Sequence, residues 1–234
     1  MDHITLYSTR RGSGEPLLLL HGNGEDSSYF EAQLDFFSRE YQVIALDTRG
    51  HGRSPRGTAP FCFDTFAADL LDFLDQEGLS KVHLLGFSDG GNIALTFALA
   101  HQERLKSLIL NGADLDPVGV KLSTQIPIIL GYYAACLAAR LNTGAIPKME
   151  LLRLMVKEPH IPPEALDAIR VPTLVIAGTN DMIREDHTRL IHQHIPGSRL
   201  ALIPGDHFIA KKNSEAFNRA VDTFLKELSE GEHI

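Results

Sequence analysis

Short apolar runs alternate with amphipathic stretches along most of the chain. Continuous apolar runs bounded by Gly, Pro, Asp or Asn are typical of buried strands, and six occur, at residues 16–20, 42–46, 82–85, 107–110, 173–177 and 199–203. Between them, apolar residues recur with helical spacing at 28–39, 64–77, 92–101, 185–194 and 213–230. Uninterrupted apolar strands that alternate with helices indicate a mostly parallel sheet covered on both faces, so we predict an α/β fold.

The interval 113–170 breaks this alternation. It contains no clear strand, whereas 126–141 and 148–156 have helical patterns with prolines around them. We interpret it as a small helical cap inserted into a core made of residues 1–112 and 171–234. Apolar residues of the cap would either line a pocket for an acyl or aromatic group or pack the cap onto the core, so none is assigned to specificity.

Composition narrows the class of partner. A chain of 234 residues fits one domain. Its net charge of −8 disfavours nucleic acids and anionic membranes as partners. Cys62 and Cys136 lack the spacing of a disulfide framework or a metal site. No signal peptide begins the chain, and the longest apolar stretch, 126–139, contains a proline and is too short to span a bilayer. We predict a cytoplasmic protein without membrane insertion or metal, and the sequence leaves the oligomeric state open.

A G-x-S-x-G segment follows the apolar strand 82–85 and precedes the helical stretch 92–101. A sharp turn from strand to helix presents its serine, and glycines two positions before and after relieve the crowding. The positive N-terminal end of the helix would stabilise negative charge that develops beside the serine. We therefore predict that Ser88 is a nucleophile.

A serine nucleophile needs a base and a group that orients the base. His207 follows the last predicted strand, where a loop can place its imidazole over the sheet edge, whereas His187, His192, His194 and His233 are interpreted as solvated surface residues. Asp181 follows the strand 173–177 and gives the chain order nucleophile, acid, base. Asp114, after an earlier strand, is the alternative acid, and an aspartate in either loop could simply form a turn.

An acyl-transfer site also needs donors for the oxyanion. The backbone N–H groups of Asp89, directly after the nucleophile, and of Asn23, in the His-Gly-Asn-Gly loop after the strand 16–20, are the candidates. The Asp89 carboxylate could in addition pair with a substrate ammonium group, as in amino-acid esters. The alternative is that it only complements the N-terminus of the helix and points away from the substrate.

These motifs resemble the α/β-hydrolase superfamily: the His-Gly-Asn-Gly loop, the turn at 47–54, the Gly-Phe-Ser-Asp-Gly-Gly segment, and the segments 178–181 and 205–208. The resemblance implies an eight-stranded, mostly parallel sheet with a cap and a cofactor-free Ser-His-Asp site. The Ser-Asp-Gly-Gly segment and residues 191–208 are most similar to the valacyclovir-hydrolase (biphenyl hydrolase-like) and carboxylesterase branch. Superfamily members that are dehalogenases or epoxide hydrolases use an aspartate nucleophile, so Ser88 disfavours those activities.

The first function predicted is hydrolysis of a small carboxylic ester, with an amide or a thioester as alternatives, through an acyl-enzyme. The second uses the same site for acyl transfer, perhydrolysis or cleavage of a carbon–carbon bond. The third is a receptor-like protein that binds a small ligand with little turnover. Nothing in the sequence selects the substrate, because one fold supports many substrates.

Overall fold

The computed structural model describes residues 2–231 and contains a seven-stranded sheet over those residues. Its spatial order is β1-β3-β2-β4-β5-β6-β7, with β1 antiparallel to β3 and all other pairs parallel. The strands are Ser8–Arg11 (β1), Glu15–Leu20 (β2), Tyr41–Leu46 (β3), Val82–Phe87 (β4), Leu105–Asn111 (β5), Thr173–Gly178 (β6) and Arg199–Ile203 (β7). The prediction of an α/β fold with a mostly parallel sheet is confirmed.

The expected eighth strand is absent from the described residues. The segment ahead of β1 is instead held against the loop around Thr58, since the Asp2 carboxylate accepts the backbone N–H groups of Thr58 and Ala59. Asp2 also contacts the buried Arg49 guanidinium at 3.1 Å. These contacts link the segment ahead of β1 to the loop that follows β3.

The part of the chain that the structure describes contains eight α-helices. They are Glu31–Phe37 (α1), Phe63–Gln76 (α2), Asp89–His101 (α3), Leu122–Leu141 (α4), Ile146–Lys157 (α5), Glu185–His194 (α6), Ile209–Lys212 (α7) and Ser214–Gly231 (α8). Alternate strand residues face opposite layers, so Leu18 and Leu20 pack towards α2 and α3 while Leu17 and Leu19 pack towards α1 and α8. Both faces of the sheet are therefore covered.

The segment 113–170 contains α4 and α5, which pack against each other, and no strand. Leu154 of α5 is buried in the larger apolar cluster. In α4, by contrast, only Gln125 and Ala135 are buried. The division into a core and a cap at residues 113 and 170 stays a prediction.

The apolar stretch 126–139 is part of α4, which has 20 residues because helical geometry extends beyond the stretch at both ends. By length and composition alone, α4 is able to cross a membrane, with a mean hydropathy of 1.4 and 11% of its most apolar window buried. Length alone therefore does not exclude a span by the whole helix, although the stretch 126–139 is itself shorter than a membrane span. The absence of membrane insertion stays a prediction.

The turn at 47–54 has a structural role. Arg49 is fully buried and donates to both carboxylate oxygens of Asp69, at 2.7 and 2.6 Å. The Ser54 hydroxyl donates to the Asp47 carbonyl at 2.6 Å and accepts the N–H of Tyr7 at 2.8 Å. A planar guanidinium matched to a carboxylate is among the stronger polar contacts in proteins, so this pair anchors α2 to the loop after β3.

Candidate active site

The carboxyl ends of β4, β6 and β7 lie at the same edge of the parallel sheet. Ser88 follows β4, Asp181 follows β6 and His207 follows β7, so the topology brings together residues that are far apart in the sequence. In doubly covered α/β sheets this edge is where ligands bind.

Ser88 occupies a strained turn between β4 and α3. Its φ of 54° and ψ of −122° make it the one non-glycine residue with positive φ among residues 2–231. The flanking glycines are required by space, since a Cβ on Gly86 would lie 2.1 Å from the Gly90 carbonyl oxygen. A Cβ on Gly90 would lie 2.2 Å from the Leu20 carbonyl oxygen. This packing fixes the direction in which the hydroxyl points.

Three side chains form a continuous hydrogen-bonded relay. Ser88 Oγ lies 2.9 Å from His207 Nε2, and His207 Nδ1 lies 2.7 Å from Asp181 Oδ1. A carboxylate can only accept, so Nδ1 carries the proton and Nε2 is free to accept the serine proton. His207 and Asp181 are both buried, whereas Ser88 is half-buried. The only partly accessible member of the relay is thus the hydroxyl.

The Asp181 carboxylate is held in place by its own loop. Oδ1 accepts the Ile183 N–H at 2.9 Å, in addition to the His207 proton. The imidazole also fits closely against the end of β5, because a Cβ on Gly112 would lie 2.7 Å from His207 Cε1. The ring and the carboxylate therefore have little freedom to rotate apart.

Asp114, the alternative acid, is bonded elsewhere. Its carboxylate accepts the Asn92 side-chain amide at 2.8 Å, and its N–H donates to Asn92 Oδ1 at 2.9 Å. Burial raises the pKa of Asp114 to about 7. The structure brings Asp181, and not Asp114, into contact with the imidazole.

The two residues predicted to supply oxyanion donors touch each other through their side chains. Asn23 Nδ2 donates to Asp89 Oδ2 at 2.7 Å and to the Leu151 carbonyl of α5 at 3.0 Å. Asp89 is the first residue of α3, where backbone N–H groups have no partner within the helix. The Asn23 side chain therefore ties together the loop after β2, the start of α3 and the cap segment.

The Asp89 carboxylate is 9% exposed and forms no ion pair with Lys or Arg within residues 2–231. Burial raises its pKa to about 6, while the bond from Asn23 acts in the opposite direction. The carboxylate thus faces the protein rather than bulk water and keeps one oxygen bonded to Asn23. Sequence reasoning identified Asp89 but gave no sign of this bond.

A second group beside His207 was missed by the sequence analysis. Phe87 lies between His207, at 4.8 Å between ring centroids, and Tyr29, on which it stacks at 4.5 Å. Glu25 Oε2 and the Tyr29 hydroxyl are buried there without a hydrogen-bond partner in the described chain, and burial raises the pKa of Glu25. A lone acidic residue in a polar loop gives no sequence signal of such a position.

The remaining histidines differ from the surface interpretation at one position. His187 is buried and accepts the Leu115 N–H at 2.9 Å through Nε2, so the prediction that it is solvated is wrong. Its position on the inner face of α6 explains the burial. His192 and His194 are half-buried and bonded to Ser198 and Asp167, and His233 lies outside the described residues.

No group of three or more His, Cys, Asp or Glu side chains that could hold a metal ion occurs within residues 2–231. Cys62 and Cys136 are free thiols. An apolar groove of about 560 Å³ lies under one end of α4, lined by Val118, Val120, Leu122, Ile129 and Val156 among others. Ser88, Asp181 and His207 are not among its lining residues.

Comparisons with known proteins agree with this architecture. The serine hydrolase BPHL of Mus musculus is 28% identical, over 97% of this chain and 84% of its own length. The 3-oxoadipate enol-lactonase 2 of Acinetobacter baylyi is 25% identical, over 94% of this chain and 92% of its own. The crystal structure of the enol-lactonase of Burkholderia xenovorans LB400 superposes with a TM-score of 0.80 over 95% of this chain and 97% of its own. Because the two sequences are 20% identical, this similarity concerns the fold alone.

A profile of the alpha/beta hydrolase fold matches residues 15–153, which is more than half of the chain and includes the loop after β2 and the serine turn. The relatives named above are hydrolases and span nearly the whole chain. The chain belongs to the α/β-hydrolase fold family.

Proposed function

We propose that this chain is a serine hydrolase that cleaves a small carboxylic ester through an acyl-enzyme intermediate. The observation that carries the proposal is the relay of 2.9 Å from Ser88 Oγ to His207 Nε2 and 2.7 Å from His207 Nδ1 to Asp181 Oδ1. Amides and thioesters are alternatives within the same chemistry, because each offers an electrophilic carbonyl carbon.

In the first half-reaction, Ser88 Oγ bonds to the carbonyl carbon of the ester as its proton passes to His207 Nε2. Collapse of the tetrahedral intermediate breaks the bond to the alkoxy group, which leaves as an alcohol with the proton from Nε2. In the second half-reaction, water gives a proton to Nε2 as its oxygen bonds to the acyl carbon. The bond from that carbon to Ser88 Oγ then breaks, Oγ takes the proton back from Nε2, and the acid is released. Asp181 stabilises the imidazolium in both halves by accepting a hydrogen bond from Nδ1–H, and it stays ionised throughout.

The backbone N–H groups of Asp89 and Asn23 would bind the oxyanion of both intermediates. Loss of one such donor typically costs about 3 kcal/mol of transition-state stabilisation. The bond from Asn23 Nδ2 to Asp89 Oδ2 at 2.7 Å supports this pairing, because it ties the two donor segments to each other. The Leu151 carbonyl supports the same side chain from the cap segment.

The activation of Ser88 is tested by intact mass after brief exposure to a fluorophosphonate. We expect one phosphonyl adduct on the wild type, formed as Ser88 Oγ displaces fluoride, and none on Ser88→Ala. Ser80→Ala removes a different, exposed serine and should label like the wild type. A folded wild type without an adduct would refute the hydrolase proposal and favour a receptor-like protein that binds a ligand with little turnover.

Labelling alone does not separate hydrolysis from acyl transfer, perhydrolysis or carbon–carbon cleavage. Product analysis of an ester reaction with added alcohol or hydrogen peroxide separates hydrolysis from acyl transfer and perhydrolysis, and turnover of a diketone tests carbon–carbon cleavage. Free acid as the dominant product supports hydrolysis, whereas a new ester or a peracid in excess over the acid would favour transfer to that nucleophile.

For the substrate, we propose that the Asp89 carboxylate pairs with an ammonium group in the acyl part, as in an α-amino ester. Its burial without a Lys or Arg partner among the described residues supports this, since a buried carboxylate gains most from an opposite charge. Asp89→Asn keeps an acceptor for Asn23 but removes the charge. We expect the wild type to prefer an α-amino ester over its desamino analogue in kcat/KM by about tenfold or more, and the variant to lose that preference. Equal specificity constants for the two esters with the wild type would exclude the pairing.

A further inference from the structure

Large apolar side chains form a continuous exposed stripe along α4. Six of them recur every three or four residues, which places them on one face of the helix, and a seventh precedes the helix. Their side chains are between 52% and 86% exposed: Val118, Leu122, Ile126, Leu130, Tyr133, Leu137 and Leu141. We call this set the α4 stripe.

The central part of the α4 stripe lies on a helix surface without charge. Residues 122–139 contain no Asp, Glu, Lys or Arg, and the charges nearest to the stripe on α4 are Lys121 and Arg140 at its two ends. Exposed neighbours on the same helix are small or neutral, as at Ser123, Pro127 and Ala134. Covering residues 122–139 would therefore desolvate no charged group of α4, whereas Asp116 and Arg184 line the groove at the N-terminal end of the stripe.

The area of the stripe is that of a protein interface. With these exposures, the seven side chains leave on the order of 800 Å² in contact with water, about the area that each partner contributes to a stable complex. Contiguous apolar patches of this size are rare on monomeric proteins and mark interaction sites.

The two ends of the stripe have complementary shapes. At the N-terminal end, Val118 and Leu122 border the groove of about 560 Å³, whose floor includes Ile129 and Val156. At the C-terminal end, Leu141 projects furthest, with 86% of its side chain exposed. The ends are about 30 Å apart along the helix axis. A knob and a hole on the same face are what a twofold, self-complementary interface requires.

We propose that a second copy of this chain covers the α4 stripe, with the two α4 helices antiparallel about a twofold axis near the middle of the helix. Each Leu141 then enters the groove beside the partner's Leu122, and the central residues Leu130 and Tyr133 face each other across the axis. Antiparallel helices also align their dipoles favourably. This dimer does not depend on the reaction proposed above.

A second copy fits this face better than an anionic bilayer does. A second copy also carries a net charge of −8, but the face it brings into contact is as free of charge as residues 122–139, whereas an anionic lipid surface is charged at the contact itself. A fluid lipid surface has no fixed shape, so the match between Leu141 and the groove would not contribute to binding it.

The oligomeric state is measured by sedimentation velocity of the full chain over a range of concentrations. We expect the wild type to approach twice its mass of 25.8 kDa at micromolar concentrations. Leu130→Glu, at the centre of the stripe, should raise the dimer dissociation constant more than about 30-fold, because central interface residues carry most of the affinity. Thr223→Glu adds the same charge to the exposed face of α8 and should leave the dimer intact.

The orientation is tested by disulfide formation in a Cys62→Ser, Cys136→Ala background. Leu122→Cys and Leu141→Cys proteins should cross-link when mixed and not when separate, because a disulfide needs Cα atoms within about 7 Å. A wild type that stays monomeric at 100 µM, which places any dimer dissociation constant above roughly 100 µM, would overturn the proposal. A Leu130→Glu protein that still dimerises would also overturn it. So would a monomeric wild type that binds neutral or anionic vesicles, if the Leu130→Glu protein loses that binding.

Discussion

Replacing Asp181 by asparagine tests the orienting carboxylate of the proposed triad with little change in shape. In the wild type, Asp181 Oδ1 accepts both the His207 Nδ1 proton, at 2.7 Å, and the Ile183 N–H, at 2.9 Å. The asparagine oxygen can keep the bond from Ile183, but its NH₂ group then faces His207. An amide donor next to Nδ1 stabilises the tautomer with the proton on Nε2, which can no longer accept a proton from Ser88.

The magnitude follows from what the variant loses. The wrong tautomer and the missing negative charge beside the imidazolium together reduce kcat by about 10⁴-fold in other triads, which corresponds to about 5.5 kcal/mol. We expect a loss of 10³- to 10⁴-fold in kcat for Asp181→Asn with p-nitrophenyl acetate at pH 7.5, with a change in KM of less than about tenfold. The melting temperature should change little, because the substitution keeps the volume and one hydrogen bond of the loop.

Asp114→Asn is the matched control, since Asp114 is also buried and follows a neighbouring strand but bonds to Asn92. Its kcat should stay within about tenfold of the wild type. A loss of less than tenfold in Asp181→Asn, or a larger loss in Asp114→Asn than in Asp181→Asn, would refute the assignment of Asp181 as the orienting acid.

Three further predictions concern stability, measured by chemical denaturation. Gly90→Ala should lower the free energy of unfolding by about 2–4 kcal/mol, because its Cβ meets the Leu20 backbone at 2.2 Å. Gly131→Ala, with 3.7 Å from its Cβ to the nearest atom, should raise the free energy of unfolding by about 0.5–1 kcal/mol. The folded-state pKa of Asp114 near 7 lies above its ordinary 3.8, so its ionisation destabilises the folded state increasingly from about pH 4 to pH 7. Asp114→Asn should therefore gain stability relative to the wild type over that range, by up to about 4 kcal/mol, and a constant difference would contradict this. Arg49→Met should cost about 3–5 kcal/mol by leaving a buried carboxylate unpaired, and an effect below 1 kcal/mol would show that the pair is dispensable.

The strands and the order of the proposed triad could be predicted because both depend on local patterns. Continuous apolar runs identify strands buried on both faces, and parallel strands place the residues after them at the same sheet edge. Ser88, Asp181 and His207 could each be named from their position directly after such a run. The glycines around Ser88 carry a signal as well, since a backbone contact of 2.1 Å leaves no room for a side chain.

What could not be predicted depends on contacts between distant segments. The bond from Asn23 to Asp89 and to the Leu151 carbonyl links three parts of the chain, and no local pattern encodes it. Burial of Glu25 and His187 likewise follows from how loops and helices pack. The number of strands in the described residues also depends on pairing between distant segments, so it could not be predicted from local patterns.

The separation of 119 residues between Ser88 and His207 has a consequence for the biosynthesis of the protein. Among the strands of residues 2–231, β7 at the edge of the sheet is synthesised last, and His207 follows it. A growing chain therefore carries Ser88, directly after β4, long before its proposed base exists. Contacts between segments so distant form late in folding. A nascent or truncated chain would hence be chemically inert towards esters, and reaction with a fluorophosphonate would report that the whole domain has been completed.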